Sequence, residues 1–174
     1  MSEITPDGVR TADGKGYPCD LLVYGTGFDT THFLAPLEIH GESGRTLTEA
    51  WKDGAEAYFG VTVAGFPNLF MLYGPNTNLG HNSIIVMIEA QADYVVQCLD
   101  EMKRRGARAI AVTPEAHTAF NLQLQKDLAG TAWAGECSSW YKTASGKITN
   151  NWSDDTAAYR KRTARPQFGD YAFG

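Results

Sequence analysis

"LYGPNTNLGHNSIIVMIEAQADYV", residues 72–95, joins the end of an apolar run, a Gly-Pro turn, a polar loop with three asparagines and the beginning of a helix. Apolar side chains at Ile84, Ile85, Ile88, Ala92, Val95, Val96 and Leu99 recur at the helical period, which predicts a core helix buried along that stripe. Its N-terminus falls at Asn82 or Ser83, whose short side chains accept hydrogen bonds from the unpaired N–H groups of a first turn. Asn76, Thr77, Asn78 and His81 stand just upstream, and two readings of them are open. They are ordinary turn and capping residues. They also lie beside a helix end whose free donors and positive dipole attract an anion or a carbonyl oxygen.

Working outward, "NLFMLY" (68–73) follows a Gly-Phe-Pro turn and stops at Gly74-Pro75, and "LLVY" (21–24) stops at Gly25-Thr26-Gly27. Continuous apolar runs of this kind predict strands covered on both faces in a parallel sheet. Ligands gather where such strands end in loops, which tips the polar loop toward binding. Ahead of them, "PDG" and "ADG" separate short polar-flanked segments, the turn chemistry of an antiparallel hairpin. The fold class expected is α/β.

Downstream, "MKRRG" (102–106) places cations and a glycine where a helix ends, complementing the dipole and closing the last turn. "ARAIAV" (107–112) predicts a short strand, and Thr113-Pro114-Glu115 an N-cap, a first-position proline and a first-turn acid. The helix so opened runs to about Leu128, with Ala116, Phe120, Leu124 and Leu128 as a narrow apolar stripe. From Gly130 periodicity is lost while aromatics persist at Trp133, Trp140, Tyr141, Trp152, Tyr159, Phe168, Tyr171 and Phe173. An irregular tail is predicted that must pack on something.

A chain of 174 residues, 43% hydrophobic, is ample for one domain with a core. It contains no run of eighteen apolar residues and does not begin with a secretory signal, so a cytoplasmic protein is expected. Cys19, Cys98 and Cys137 are odd in number and form no CxxC pair, against a disulfide framework, a zinc site or a dithiol redox centre. The net charge of −5 hides a gradient: 4 Lys or Arg against 13 Asp or Glu in residues 1–100, then 11 against 7 in 101–174. The densest basic cluster is the helix end just described, and patches that bind nucleic acid are usually larger. Nucleic acid is set aside as a partner.

No GxGxxG, GxxxxGK, HExxH or GxSxG pattern is present, and the four histidines lack metal-ligand spacing. His81 is a lone loop histidine, a type more often solvated or capping than functional. No metal site and no self-contained catalytic constellation are expected.

Three ordered stretches carry a resemblance. "CDLLVYGTGFD" (19–29), "YFGVTVAGFPNLFMLYGPNTNLGHNSIIVMIEAQADYV" (58–95) and "CSSWY" (137–141) with the following "NNW" (150–152) resemble the C-terminal part of a flavin-dependent Baeyer–Villiger monooxygenase of the aryl or cyclic ketone branch. The resemblance implies a Rossmann-like fold of two dinucleotide-binding domains, tightly bound FAD, NADPH as reductant, and O2 and a ketone as substrates. It implies that the FAD fingerprint, the NADPH glycine motif and the catalytic arginine all precede Met1, so that the chain is a fragment without a catalytic residue of its own. Residues 1–29 would end the NADPH-binding domain, 30–112 would close the FAD-binding domain, and 113–174 would be a C-terminal helix and aromatic-rich tail.

The resemblance also implies roles. Gly74 and Pro75 lie beside the cofactor, Asn82, Ser83 and Ile84 face the flavin, and Leu79, Gly80 and His81 face the ketone. Trp140 matches a tryptophan that donates its indole N–H toward the nicotinamide ribose of NADP, and Thr26, Gly27 and Phe28 match the domain junction near NADP. The loop "NTNLGHNS" is more polar than in relatives that take simple cyclic ketones, which suggests a polar or aromatic ketone. A stand-alone binding or oligomerisation domain without flavin chemistry is the competing reading, and a disulfide-reductase-like flavoprotein is weakened by the absent CxxC. As a fragment the chain is expected to self-associate, without FAD of its own.

Overall fold

A computed structural model describes residues 1–25, 27, 30–135 and 140–174. The two Asp-Gly turns near the N-terminus do what their chemistry predicts. They join β1 (Glu3–Thr5), β2 (Gly8–Arg10) and β3 (Gly16–Pro18) into a three-stranded antiparallel sheet in sequence order. A four-residue helix, α1 (Leu47–Ala50), is opened by a capping box in which Thr46 and Glu49 satisfy each other's backbone N–H groups. Leu47 then joins Ala57, Val63, Phe66 and Met71 in a small satellite core.

The long helix α2 (Ile84–Arg105) begins at Ser83, whose hydroxyl accepts from the Ile85 N–H, and ends with Gly106 in the left-handed conformation. Strand β4 (Ile110–Val112) follows, and then α3 (Pro114–Ala129), capped by Thr113 with proline in its first turn. Each boundary agrees with its sequence signal, because caps and prolines act through the adjacent backbone alone.

The two strands expected at Leu21–Tyr24 and Asn68–Tyr73 are not formed. Leu21, Val23 and Tyr24 are 78, 79 and 64% exposed, and residues 68–73 form a winding segment with left-handed backbone at Asn68 and Tyr73. An apolar run becomes a strand only when another strand is laid alongside to take its N–H and C=O groups, and among the described residues none is. The described sheets are antiparallel, β1-β2-β3 and β4-β5, rather than parallel.

Helix α2 also buries a different face from the one predicted. Met87, Ala90, Gln91, Tyr94 and Cys98 point into the core, whereas Ile85, Val96 and Leu99 are 61, 56 and 50% exposed. Both sets have helical spacing, and a helix buries whichever face its neighbours cover. Many of those neighbours come from the tail, which packs on the core as predicted but is more regular than predicted. It supplies α4 (Thr156–Thr163), packed on α2, and β5 (Tyr171–Phe173), paired antiparallel to β4. Trp152, Tyr159 and Tyr171 are buried with Tyr58, Phe59, Val61, Met87, Tyr94, Phe120, Leu124 and Leu128 in the main core. Full burial of each such aromatic side chain contributes roughly 2–3 kcal/mol.

Of the cysteines, Cys98 is buried and its thiol is pushed up to about 12 by that burial, while Cys19 is free and exposed. Cys137 lies outside the described residues. On α3, burial holds the His117 imidazole below the ordinary histidine range, against the opposing pull of Glu56. A folded-state pKa below the unfolded value means that the unfolded chain takes up the proton first as pH falls. The corresponding stability is complete above the ordinary pKa of about 6.5 and is lost as pH drops from there toward the depressed folded value. Urea denaturation at pH 7.5 and 5.5 should therefore show a loss at the lower pH that shrinks in His117→Gln; equal losses in the two proteins would assign it to other groups.

Candidate functional site

The polar loop is built around contacts that leave no room for side chains. At Gly60, whose φ is +69°, an added Cβ would lie 2.1 Å from Thr77 Cγ2 and 2.9 Å from the Pro75 carbonyl oxygen; at Gly74 it would lie 2.3 Å from the Gly60 carbonyl oxygen. Thr77, fully buried beneath, donates its hydroxyl to the Gly74 carbonyl at 2.7 Å. Gly74 and Pro75 thus form a rigid base for residues 76–83.

The asparagines answer the question that the sequence left open, and they divide. Asn76 is buried and donates its amide to the carbonyls of Ile148 and Asn151 at 2.8 and 3.0 Å, while its backbone N–H donates to Thr149 at 2.8 Å. Asn78 donates its N–H to the Asn150 carbonyl at 2.8 Å and accepts from the Trp152 N–H at 2.9 Å, making a parallel bridge to Asn151. These two residues stitch the loop to segment 148–152, so their role here is structural. The side-chain amide of Asn151 and the indole N–H of Trp152 are buried without a partner among the described residues, and the segment's bonds to the loop run through its own backbone.

Asn82 and Ser83 stay at the surface. The Asn82 side chain accepts from the Ser83 N–H at 2.7 Å and donates to Thr156 Oγ1 at 2.9 Å, tying the start of α2 to the start of α4. With Ile85 and Val86 satisfied by Ser83, the Ile84 N–H has no partner among the described residues. The helix start is therefore open to solvent and keeps a free donor at its positive end. Leu79 packs against the main core, and Gly80 and His81 are exposed beside it.

Trp140 is drawn to the same side by a path through main chain and side chains. Asn150, whose carbonyl holds Asn78, donates its amide to the Thr30 carbonyl at 3.1 Å, and the Thr30 hydroxyl donates to the Trp140 carbonyl. The Trp140 ring is half-exposed and tilted on Tyr141 at 5.0 Å between centroids. Tyr141 in turn meets the edge of Trp133 at 4.9 Å. Gly27 is exposed in a left-handed conformation; Thr26 and Phe28 lie outside the described residues.

Behind the loop runs a buried polar chain that sequence reasoning missed. Gln91, fully buried on α2, accepts from the Tyr73 N–H at 2.8 Å and donates to the Tyr159 hydroxyl at 3.0 Å, which donates to the Phe59 carbonyl at 2.5 Å. A glutamine within an apolar period was the one available signal. Tyr73 also donates its hydroxyl to the Asn78 side chain at 2.9 Å, and burial, with Tyr141 nearby, holds that phenol above its ordinary range and protonated. Among the described residues no group of acidic, histidine or cysteine side chains could hold a metal ion, and no helix is long and apolar enough to cross a membrane.

No protein-family model matches the chain. Among solved structures it is similar to OTEMO in complex with FAD and NADP, with a TM-score of 0.79 and 29% identity over 99% of this chain and 33% of that one. The architecture is thus α/β and resembles a portion of a structure solved with FAD and NADP. Among curated proteins the chain is 44% identical to the FAD-binding monooxygenase ktnD of Aspergillus niger, over 98% of its own length and 29% of the relative's. It is 40% identical to a Baeyer-Villiger monooxygenase of Streptomyces coelicolor, over 98% of its length and 33% of that protein's. The chain belongs to the Baeyer–Villiger monooxygenase family, and it spans about a third of the length of the curated relatives it matches.

Proposed function

We propose that this chain is the C-terminal part of an FAD- and NADPH-dependent enzyme that inserts one oxygen atom of O2 beside a ketone carbonyl, giving an ester or lactone. In this reading, residues 1–29 close the NADPH-binding domain, 30–112 the FAD-binding domain, and 113–174 lie across the latter. The supporting observation is that the open start of α2, the loop 79–81 and Trp140 are held together by the Asn78–Asn150–Thr30–Trp140 path.

The residues present suit an electron-rich ring. FAD, when bound and reduced by NADPH, would supply the activation of O2. The free Ile84 N–H at a positive helix end would hold the ring's electron-rich edge, with Asn82 and Ser83 fixing the direction of that donor. Leu79, Gly80 and His81 would shape the ketone site, with Leu79 apolar, Gly80 admitting close approach and His81 giving polarity to one side. Trp140 would present its indole N–H to the nicotinamide ribose and shield the ring from water. No residue of the chain is assigned a proton-transfer role.

Flavin content tests the proposal. The 174-residue chain should purify colourless, because the phosphate-binding loop that supplies much of the cofactor affinity is not part of it. The longer enzyme should be yellow and oxidise ketones. A yellow chain would defeat the fragment reading, and a longer protein without flavin would defeat the monooxygenase reading. In the longer enzyme Trp140→Ala should raise KM for NADPH about tenfold, the worth of one well-made hydrogen bond, and an unchanged KM would remove Trp140 from the nicotinamide site. The exposed Ile85, Val96 and Leu99 favour a second reading, a binding or oligomerisation module. Self-association of a flavin-free longer protein that is lost on replacing those side chains with polar ones would support it.

A further inference from the structure

We infer that Trp133 is a specificity-determining residue, and that its indole, braced by Tyr141, positions the loop 79–81 and so sets the width of the ketone site; this rests on the monooxygenase reading above. Gly80 is what brings the ring so near. An added Cβ at Gly80 would lie 2.9 Å from Trp133 Cη2 and 3.2 Å from Cζ2, so the far edge of the indole occupies the space a side chain would need. Trp133 cannot easily move away. It sits on a 3-10 turn, Ala132–Ala134, that directly follows α3, and the Thr131 hydroxyl anchors that turn to the Leu128 carbonyl at 2.7 Å.

On its other side the indole meets Tyr141 edge-on at 4.9 Å, and Tyr141 carries Trp140 at 5.0 Å. Tyr73, whose phenol is raised first by burial and second by Tyr141, holds the Asn78 side chain. The loop 78–81 is thereby gripped from the Tyr73–Asn78 side and from the Trp133–Gly80 side. The residue at the centre of that grip, Tyr141, is the chain neighbour of the tryptophan assigned to NADP. Aromatic pairs of this geometry are worth more than their buried area and keep a fixed orientation. Trp133 touches neither substrate nor cofactor in this scheme and acts through Gly80, so it is a positioning residue.

The contact is tested first on the 174-residue chain. Gly80→Ala should lower Tm, and Gly80→Ala with Trp133→Phe should restore most of the loss, because phenylalanine lacks the far edge that the new Cβ would strike. Equal losses from Gly80→Ala in the two backgrounds would overturn the contact and the proposal. Specificity is then tested on the longer flavin-loaded enzyme with a ketone series from cyclohexanone to substituted acetophenones. Trp133→Phe should shift kcat/KM toward the bulkier ketones by about tenfold, the scale of a small change in an apolar site, mainly through KM. Gly80→Ala should narrow the range, and the double variant should recover it. A flavin-replete wild type whose variants keep parallel ketone profiles would overturn this proposal alone, whereas a wild type without flavin or ketone oxidation would overturn the reading beneath it as well.

Discussion

Replacing Gly60 with alanine is expected to destabilise the protein by about 4 kcal/mol and to dislodge the loop that carries the candidate site. The left-handed backbone costs an alanine about 1–2 kcal/mol, and forcing a methyl group into a packed site adds about 1–3 kcal/mol. The packing cost belongs at the upper end here, because the added carbon would stand 2.1 Å from Thr77 Cγ2 and 2.9 Å from the Pro75 backbone oxygen. Thr77 cannot swing aside, being fully buried and hydrogen-bonded to Gly74. Relief therefore requires moving residues 74–78, and with them the bonds of Asn76 and Asn78 to segment 148–152. Urea denaturation should show the loss, and in the longer enzyme flavin retention should fall with it. A Gly60→Ala protein of wild-type stability would mean that the loop is not clamped against Gly60.

The second large effect is expected at Gln91. Leucine fills a similar volume but leaves the Tyr73 N–H without its acceptor and removes the donor from the Tyr159 hydroxyl. Each buried polar group abandoned in this way costs roughly 1–3 kcal/mol, so a total of about 3 kcal/mol is expected. Tyr159→Phe, which strips the Phe59 carbonyl and the Gln91 amide of a partner at once, should cost a comparable amount. Because the two substitutions break one shared chain, their effects should fall well short of additive. Additive losses in a double-mutant cycle would show that the two bonds act independently.

The residues of the candidate site were named largely through the family resemblance carried by "GPNTNLGHNS" and "SSWY". The residues that hold them in place were not. Gln91, Tyr73, Asn150, Thr30 and Trp133 lie far apart along the chain and act through bonds spanning up to 120 positions, as between Asn150 and Thr30. A local pattern cannot report such a bond. The same limit explains the misread face of α2: two sets of residues share its helical period, and the more apolar set, with Ile85, Val96 and Leu99, is the one left open.

What the sequence determined by itself were the features whose physics is confined to a few neighbouring residues. These are the hairpin turns, a cap for α2 at Asn82 or Ser83, the Thr113 cap, the proline start of α3, the Gly106 stop and the short strand at 110–112. Tertiary structure alone decided which face of α2 is buried, that the aromatic tail folds back as α4 and β5 to complete the core, and that the runs 21–24 and 68–73 are not strands. Caps and turns are satisfied by atoms a few residues away, whereas a strand edge or a helix face depends on what lies against it. That partner is chosen by the whole chain.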